Sequence, residues 1–429
     1  MTLNDGQRRL LDDCFLHDKD RLRHDEALEI LRTRISPIAG SQSINLTDAH
    51  GRILANDVTA PRNIPAFDNA AVDGYALSFA DIDPDNETRL PVSMRIPAGC
   101  VPETALKSGT TARIFTGAQV PEAADTIIMQ EDVIIEDNGD VAFPAGIKKG
   151  INLRQAGEDL GVGKIVVAAG ERLRASELTA IASCGCDQLT CFKPLSVGLL
   201  STGDEIIRPG TPYAPGNVYD ANFFLMQSLI TSTGANVSDL GIAPDTSDDV
   251  ERLLVDAAQK YDVIITSGGA SRGEEDHVVE TINRIGTLHA WQLAIKPGRP
   301  MSFGQIGDKI ILGLPGNPVA VMVCFTLYVR PLLLRLGGGG WTTPQRYHVP
   351  AAFTIERKKT DRREFLRGWI EENEESQPQA HKYPSDGSGL ISSLRAADGL
   401  IELNERVSSV LPGDMVGFIP FPELGILPR

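Results

Sequence analysis

The residues best suited to chemistry lie between Tyr261 and His277, in the run YDVIITSGGASRGEEDH. Ser267, Gly268 and Gly269 let the backbone turn with its N–H groups free, a geometry suited to holding an oxyanion. Glu274, Glu275 and Asp276 follow within one turn's reach, so acids stand beside a candidate phosphate cradle. That pairing suggests Mg²⁺ bridging protein and phosphate. Taken alone, the stretch reads equally well as solvated acids at the mouth of a sheet, and the surrounding elements must decide.

Other stretches repeat the theme. STGDEI, from Ser201 to Ile206, again joins a strand to small residues and acids and presents Glu205. Asp245 follows a third strand, so Glu205, Asp245 and Asp276 can meet at the carboxyl edge of one sheet, where open α/β folds bind ligands. Lys296 and Arg299 lie in a KPGRP loop that brings two cations toward the acids. In GLPGNPVA, Pro315, Gly316 and Pro318 precede a helix, whose N-terminus favours an anion through free N–H groups and its dipole. Asp68, Asn69, Asp73 and Gly74 form a loop of the kind that is usually only a turn. Thr116 and Gly117 stand at a strand end, and Arg154, Glu158 and Asp159 occupy a glycine-bounded loop. The basic run Arg357 to Arg367 reads as a solvated face, and Ser385 to Gly389 (SDGSG) as a turn.

The elements that must position these residues follow from periodicity. Val263 to Thr266 is a β-branched run without alternation, as in a strand covered on both faces of a parallel sheet. Ser196–Leu200, Val237–Ile242 and Lys309–Leu312 read as further strands, and 222–233 and 248–260 as helices between them. In the second helix Val250, Leu253, Leu254, Ala257 and Ala258 share a face, and Asp248 with Glu251 resembles a capping box. Residues 24–35 and 171–184 have helical spacing, and 89–141 reads as short strands broken by proline and glycine. The expected organisation is a mixed α/β linker domain from 21–62 and 163–193, a β-rich insert over 63–162, and a three-layer α/β domain over 194–336. After the glycine tetrad at 337–340, a β-barrel-like domain occupies 343–429. Residues 1–20 are polar and charged, with no continuation into a core.

Composition narrows the partners. A net charge of −16 argues against nucleic acid or an anionic membrane. The longest apolar run, Val319 to Val329, stops well short of the roughly 20 residues that span a bilayer. The N-terminus lacks a signal-peptide core, and six cysteines in 429 residues fit a reducing compartment, so a cytoplasmic location is expected. Cys184, Cys186 and Cys191 lack a fourth nearby ligand and read as structural rather than zinc-binding.

FDNAAVDGYA, IFTGA, INLRQAGEDLG, STGDE, SGGASRGEED, KPGRP and LPGNP occur in this order. Together they closely resemble the MoeA/gephyrin family, the molybdopterin molybdenumtransferases, from about residue 24 to the C-terminus. The resemblance implies an elongated homodimer of four-domain subunits whose α/β domain binds molybdopterin. It implies a Mg²⁺-dependent reaction in which adenylylated molybdopterin and molybdate become molybdenum cofactor with release of AMP. It carries functional roles to Asp73, Thr116, Asp159, Glu205, Asp245 and Asp276, with Glu205 and Asp276 the first choices for the metal. Ser267, Gly268 and Gly269 would cradle phosphate, Lys296 and Arg299 would hold molybdate or phosphate, and Pro315 and Pro318 would shape their turn. Arg362 and Ser388 become an outer oxyanion site, with the last domain serving the partner subunit's pocket. A molybdopterin adenylyltransferase and apo-molybdoenzymes are the implied protein partners.

The chain departs from the family pattern at several positions. Ala70 and Val72 replace a serine and a methionine, Gln292 stands where lysine is common, and Ala320 replaces a serine, while Arg272 adds a cation. These changes bear on molybdate binding more than on reaction class. A non-catalytic molybdopterin-binding scaffold of the same fold is the alternative, and the number of acids near an anion favours the enzyme.

Overall fold

The computed structural model describes residues 21–244, 246–268 and 277–428, with backbone alone at 289–291. Asp245, Gly269, Arg272, Glu274, Glu275 and Asp276 lie outside the described residues, as do residues 1–20.

The α/β domain is built on six strands: β1 (Ser196–Thr202), β2 (Asn236–Ala243), β3 (Val263–Ser267), β4 (Thr287–Gln292), β5 (Pro300–Ile306) and β6 (Lys309–Leu314). Their spatial order is β2-β1-β3-β6-β5-β4. The first four run parallel, and β5 and β4 are antiparallel additions. All five residues of β3 are buried, which is what its unalternating β-branched run requires in a sheet covered on both faces. The antiparallel pair is a departure from the sequence reading, which took 291–304 as a loop. Those strands flank KPGRP, and β5 holds its place by pairing with β4 on one side and β6 on the other, a pairing that no local pattern announces.

Helices α1 (Ala221–Ser232), α2 (Ser247–Lys260) and α3 (His277–Ile285) cover the sheet. The start of α2 differs from expectation: its N-cap is Thr246, whose Oγ1 donates to Asp249 Oδ2 at 2.7 Å. Asp248 therefore falls inside the first turn and not at the cap. A fourth helix, α4 (Pro318–Leu336), has a π turn at Phe325–Val329. With 19 residues it is long and apolar enough to cross a membrane, a correction to the shorter run read from the sequence, yet 83% of its apolar window is buried inside this fold. Arg330 and Arg335 do not end it, because helical hydrogen bonding continues to Leu336.

α4 is the spine of the largest core. Val321, Phe325, Tyr328 and Leu332 pack there with Leu31 from the helix His24–Arg34, with Leu199 and Ile265 of the sheet, and with Phe365 and Ile419 of the C-terminal domain. A separate core joins Leu54 to Leu173, Ile181 and Cys191, where strand Ser41–Asn45 pairs with Gln188–Phe192 and Val58–Thr59 with Ile165–Val167. Cys184 and Cys191 are buried, and among the described residues no group of three His, Cys, Asp or Glu side chains gathers as a metal site.

In the insert, strands Val92–Ile96, Thr111–Ile114, Gly74–Leu77 and Thr126–Met129 form a four-stranded sheet. The C-terminal sheet runs from Arg363–Glu372 through Gly399–Leu403 and Met415–Pro420 to Tyr347–Pro350. Pro378–Lys382 pairs with the other side of Arg363–Glu372, and a bridge between Ala351 and Ala380 closes the circuit into a barrel. Ile295 and Lys296, just before the KPGRP turn, join this sheet in parallel with Arg363 and Glu364. The two domains are thereby stitched together at the loop that carries the candidate cations.

Candidate active site

Strands β1, β3 and β6 end side by side, and hydrogen bonds lace their turns together. Thr202 Oγ1 donates to the Ser267 carbonyl at 3.0 Å, Thr266 Oγ1 to that of Gly268 at 2.7 Å, and Gly268 N–H to that of Leu314 at 3.0 Å. Gly268 has φ +98°, and a Cβ there would lie 2.3 Å from Thr202 Oγ1, so only glycine makes this turn.

A residue the sequence reading passed over locks the arrangement. Asn222, in the first turn of α1, donates from Nδ2 to Ser267 Oγ at 3.0 Å and to the Gly316 carbonyl at 2.7 Å. It thus ties the SGG turn to the LPGNP turn, while its own Oδ1 is buried without a partner. Asp220, two residues earlier, caps α1 by accepting from Phe223 N–H at 2.9 Å. A D-x-N at a helix start was the only signal available in sequence, and capping alone explains the aspartate.

Glu205 is exposed, and its carboxylate lies so close to Gly203 that a Cβ there would meet Oε2 at 2.6 Å. Pro315 is buried at the end of β6, and Pro318 opens α4, where its missing N–H is no loss. The expected anion site at that helix start is narrower than predicted. Val319 N–H already donates to the Ser388 carbonyl at 3.1 Å, so the C-terminal domain occupies one of the free donors. Ala320 is buried in the same turn, 4% exposed.

The cations form a mixed cluster with acids. Lys296 Nζ lies 3.4 Å from Glu364 Oε2 and 3.9 Å from Asp386 Oδ2, and Arg362 Nε donates to Glu364 Oε1 at 3.2 Å. Glu364, with its side chain 8% exposed, is thus shared by both cations. Arg299 is exposed, and its carbonyl accepts from Leu293 N–H at 2.8 Å.

The basic run around Arg362 is not the solvated face expected of it. Lys358 is buried and spends its three donors on the carbonyls of Lys359, Arg362 and Asn404. Burial lowers its pKa. Arg363 reaches Asp25, Glu402 and Glu405. Arg367, 1% exposed, donates to Ser393 Oγ at 2.9 Å and to the Ser385 and Gly387 carbonyls at 3.0 Å each. Long aliphatic stems bury well when the charged end meets fixed acceptors, and that pairing is invisible in a one-dimensional charge run. Arg367 is therefore the residue that shapes the SDGSG turn.

A second group forms on the insert. Asp73 Oδ1 accepts from Thr116 N–H at 2.8 Å and from Thr116 Oγ1 at 2.7 Å. These bonds, the backbone one first, hold its carboxyl below the usual range. The loop carrying Asp159 docks beside it: Leu153 and Arg154 pair with Ala70 and Asn69, and Ala156 N–H donates to Asp68 Oδ1 at 2.7 Å. Asp159 itself is exposed. Among the described residues no hydrogen bond or ion pair joins Asp73, Thr116 or Asp159 to Glu205, Ser267, Lys296 or Arg362.

Three family profiles match in chain order. They are the MoeA N-terminal region (domain I and II) over residues 22–185, a probable molybdopterin binding domain over 198–335, and the MoeA C-terminal region (domain IV) over 350–421. The molybdopterin molybdenumtransferase of Haemophilus influenzae is 35% identical over 385 residues, 90% of this chain and 95% of that protein. The chain belongs to the MoeA family of molybdopterin molybdenumtransferases. A Nostoc molybdopterin molybdenumtransferase is 30% identical, covering 90% of this chain and 85% of its own length. The crystal structure of the molybdopterin biosynthesis MoeA protein of Pyrococcus horikoshii superposes with a TM-score of 0.75 at 30% identity, covering 94% of this chain and 99% of that one. In this MoeA chain the laced edge of the sheet falls in the segment matched to the molybdopterin binding profile, the Asp73–Thr116 pair falls in the N-terminal profile, and Arg362, Arg367 and Ser388 fall in the C-terminal one.

Proposed function

We propose that this chain inserts molybdate into adenylylated molybdopterin, releasing AMP and yielding molybdenum cofactor, and that it works as a homodimer. The observation that carries this reading is the Asn222 bridge, which holds the Ser267–Gly268 turn against Gly316 at the carboxyl edge of the parallel strands. Such an edge takes a phosphorylated ligand, and since the Gly268 N–H is given to Leu314, the Ser267 hydroxyl and the donors that follow in the turn would meet its oxygens. Lys296 and Arg362, flanking Glu364, supply positive charge beside it for the oxyanion of molybdate or of the pyrophosphate.

Mg²⁺ is the ion this reading calls for. This ion binds through one or two carboxylates and completes its shell with water and phosphate oxygens, so the exposed Glu205 at the turn after β1 suffices with a second acid, for which Asp276 is the choice. Bound there, the ion would offset charge on the phosphate that leaves as AMP. Ser267, Gly268 and Gly269 would orient the phosphates, and Asp245, which the sequence pattern assigns to the same set, would act with them. Arg362 and Ser388 meet molybdate on its way in.

Among the described residues no hydrogen bond or ion pair ties Asp73, Thr116 or Asp159 to this edge within one chain, and on this reading the partner subunit's insert completes a composite site. A molybdopterin adenylyltransferase would deliver the substrate, and apo-molybdoenzymes would receive the product, in the cytoplasm.

The deciding experiment is AMP release from adenylylated molybdopterin with and without Mg²⁺ and molybdate, followed by reconstitution of an apo-molybdoenzyme. Release that needs both additions supports the reading. Binding without release would mean a scaffold.

A further inference from the structure

The end of α4 remote from the catalytic edge holds a cation that the reaction does not use. Arg330 is 12 residues beyond Pro318, about 18 Å along a helix. Its Nε is buried without a hydrogen-bond partner, and among the described residues its guanidinium makes no ion pair. It lies against Gly425, where a Cβ would come 2.6 Å from Nε and 3.2 Å from Ser232 Oγ. Arg172, from the linker domain, approaches the same point and donates through both terminal nitrogens to the Ser232 carbonyl at 3.2 Å. Arg172 is close enough to repel Arg330, and Glu423 attracts it.

Buried guanidinium groups are normally matched by carboxylates or carbonyls, and the neighbours here are matched. Arg346 donates to Glu402 at 2.5 Å, and Arg172 has its two carbonyls. Arg330 also borders a small, partly open cleft lined by Trp341, Thr342, Thr343 and Arg346. The Thr342 and Thr343 hydroxyls can donate beside the Arg330 cation, which among the described residues has no carboxylate in hydrogen-bond contact, and together such groups complement an oxyanion.

We propose that the cleft between α4 and the 341–346 segment is a second anion site, in which Arg330 and the Thr342 and Thr343 hydroxyls bind a small oxyanion of the phosphate or carboxylate class. Its place at the meeting of the linker, α/β and C-terminal domains makes the ion a clasp among the three. The site is independent of the molybdate reaction.

Titration calorimetry on the full-length protein with inorganic phosphate, and in a parallel arm with acetate at matched ionic strength, tests the site. Lys296→Ala removes a cation of the catalytic cluster and is expected to leave this binding in place. Arg330→Gln is expected to weaken it about tenfold or more, the loss of one charge-assisted hydrogen bond, and to leave AMP release unchanged. Thr343→Val, which keeps the guanidinium, is expected to weaken binding severalfold and covers the case in which the Arg330 variant does not fold. Binding of phosphate alone assigns a dianion site, and binding of both ions a general oxyanion site. Absence of both, or full retention in Arg330→Gln and Thr343→Val, overturns the proposal.

Discussion

Replacing Arg367 by methionine separates its structural role from any direct part in binding. The substitution keeps most of the buried volume but removes three donated hydrogen bonds, to Ser393 Oγ and to the Ser385 and Gly387 carbonyls. A hydrogen bond from a charged donor contributes about 1.5–3 kcal/mol, so the gross loss is roughly three times that. Two offsets reduce it. Ser385 and Gly387 are exposed, so water replaces the arginine at their carbonyls. Ser393 keeps its bond to the Leu390 carbonyl at 2.6 Å. Burial also opposes the charge on Arg367, and methionine relieves that penalty. The net destabilisation of the C-terminal domain is then about 2 kcal/mol, read from urea unfolding followed by tryptophan fluorescence. Because the released turn carries Asp386 and Ser388, KM for molybdate should rise more than kcat falls. A variant as stable as wild type with unaltered molybdate KM would refute the claim that Arg367 shapes this turn.

Further perturbations probe other links. His24, 0% exposed, has its pKa lowered to about 3 by burial and by the charge of Arg363. The unfolded chain protonates near pH 6.5 and the native one does not, so stability falls as pH drops between those values, by about 2 kcal/mol at pH 5. His24→Asn should flatten that part of the pH–stability profile, and an unchanged slope would exclude His24 as its source. Gly268→Ala forces a Cβ onto Thr202 Oγ1 at 2.3 Å; AMP release should be abolished while circular dichroism of the α/β domain persists, and full activity would sink the turn assignment. Asn222→Ala unties two turns and should lower AMP release on the order of 100-fold, the scale of a misplaced reacting group; wild-type turnover would show the bridge to be incidental. Asp73→Ala and Lys296→Ala chains, each inactive alone, should regain part of the activity when mixed and refolded together, because one of the two composite sites in the heterodimer is intact. Failure of the mixture to exceed either parent would place both residues in one subunit's site.

The reach of the sequence is clearest at β3 and the turn after it. A β-branched run followed by SGG specifies a doubly covered strand and a glycine turn, because both are set by residues one or two positions apart, but the expectation of free N–H groups fails at Gly268, whose N–H is given to the Leu314 carbonyl. The start of α2 shows the limit of the same reasoning: two acids invited a capping box, yet Thr246 with Asp249 sits two residues earlier. At Lys296 local reasoning found the cation but not its surroundings, since Glu364 and Asp386 lie 68 and 90 positions further on.

What the sequence determined by itself was the set of local shapes: buried parallel strands, glycine turns at their ends, a β-rich insert, and motifs whose order names the family. What only the tertiary structure decided was which donors remain for a ligand. Ser388 takes the Val319 N–H, Glu364 divides itself between Lys296 and Arg362, and Lys358, Arg363 and Arg367 turn inward onto carbonyls and carboxylates. Asn222 has no motif of its own and becomes the bridge only because β3 and β6 are neighbours. The physical reason is that a turn is fixed by the torsions of adjacent residues, whereas satisfaction of a buried polar group depends on whichever distant segment the packing brings within about 3 Å of it.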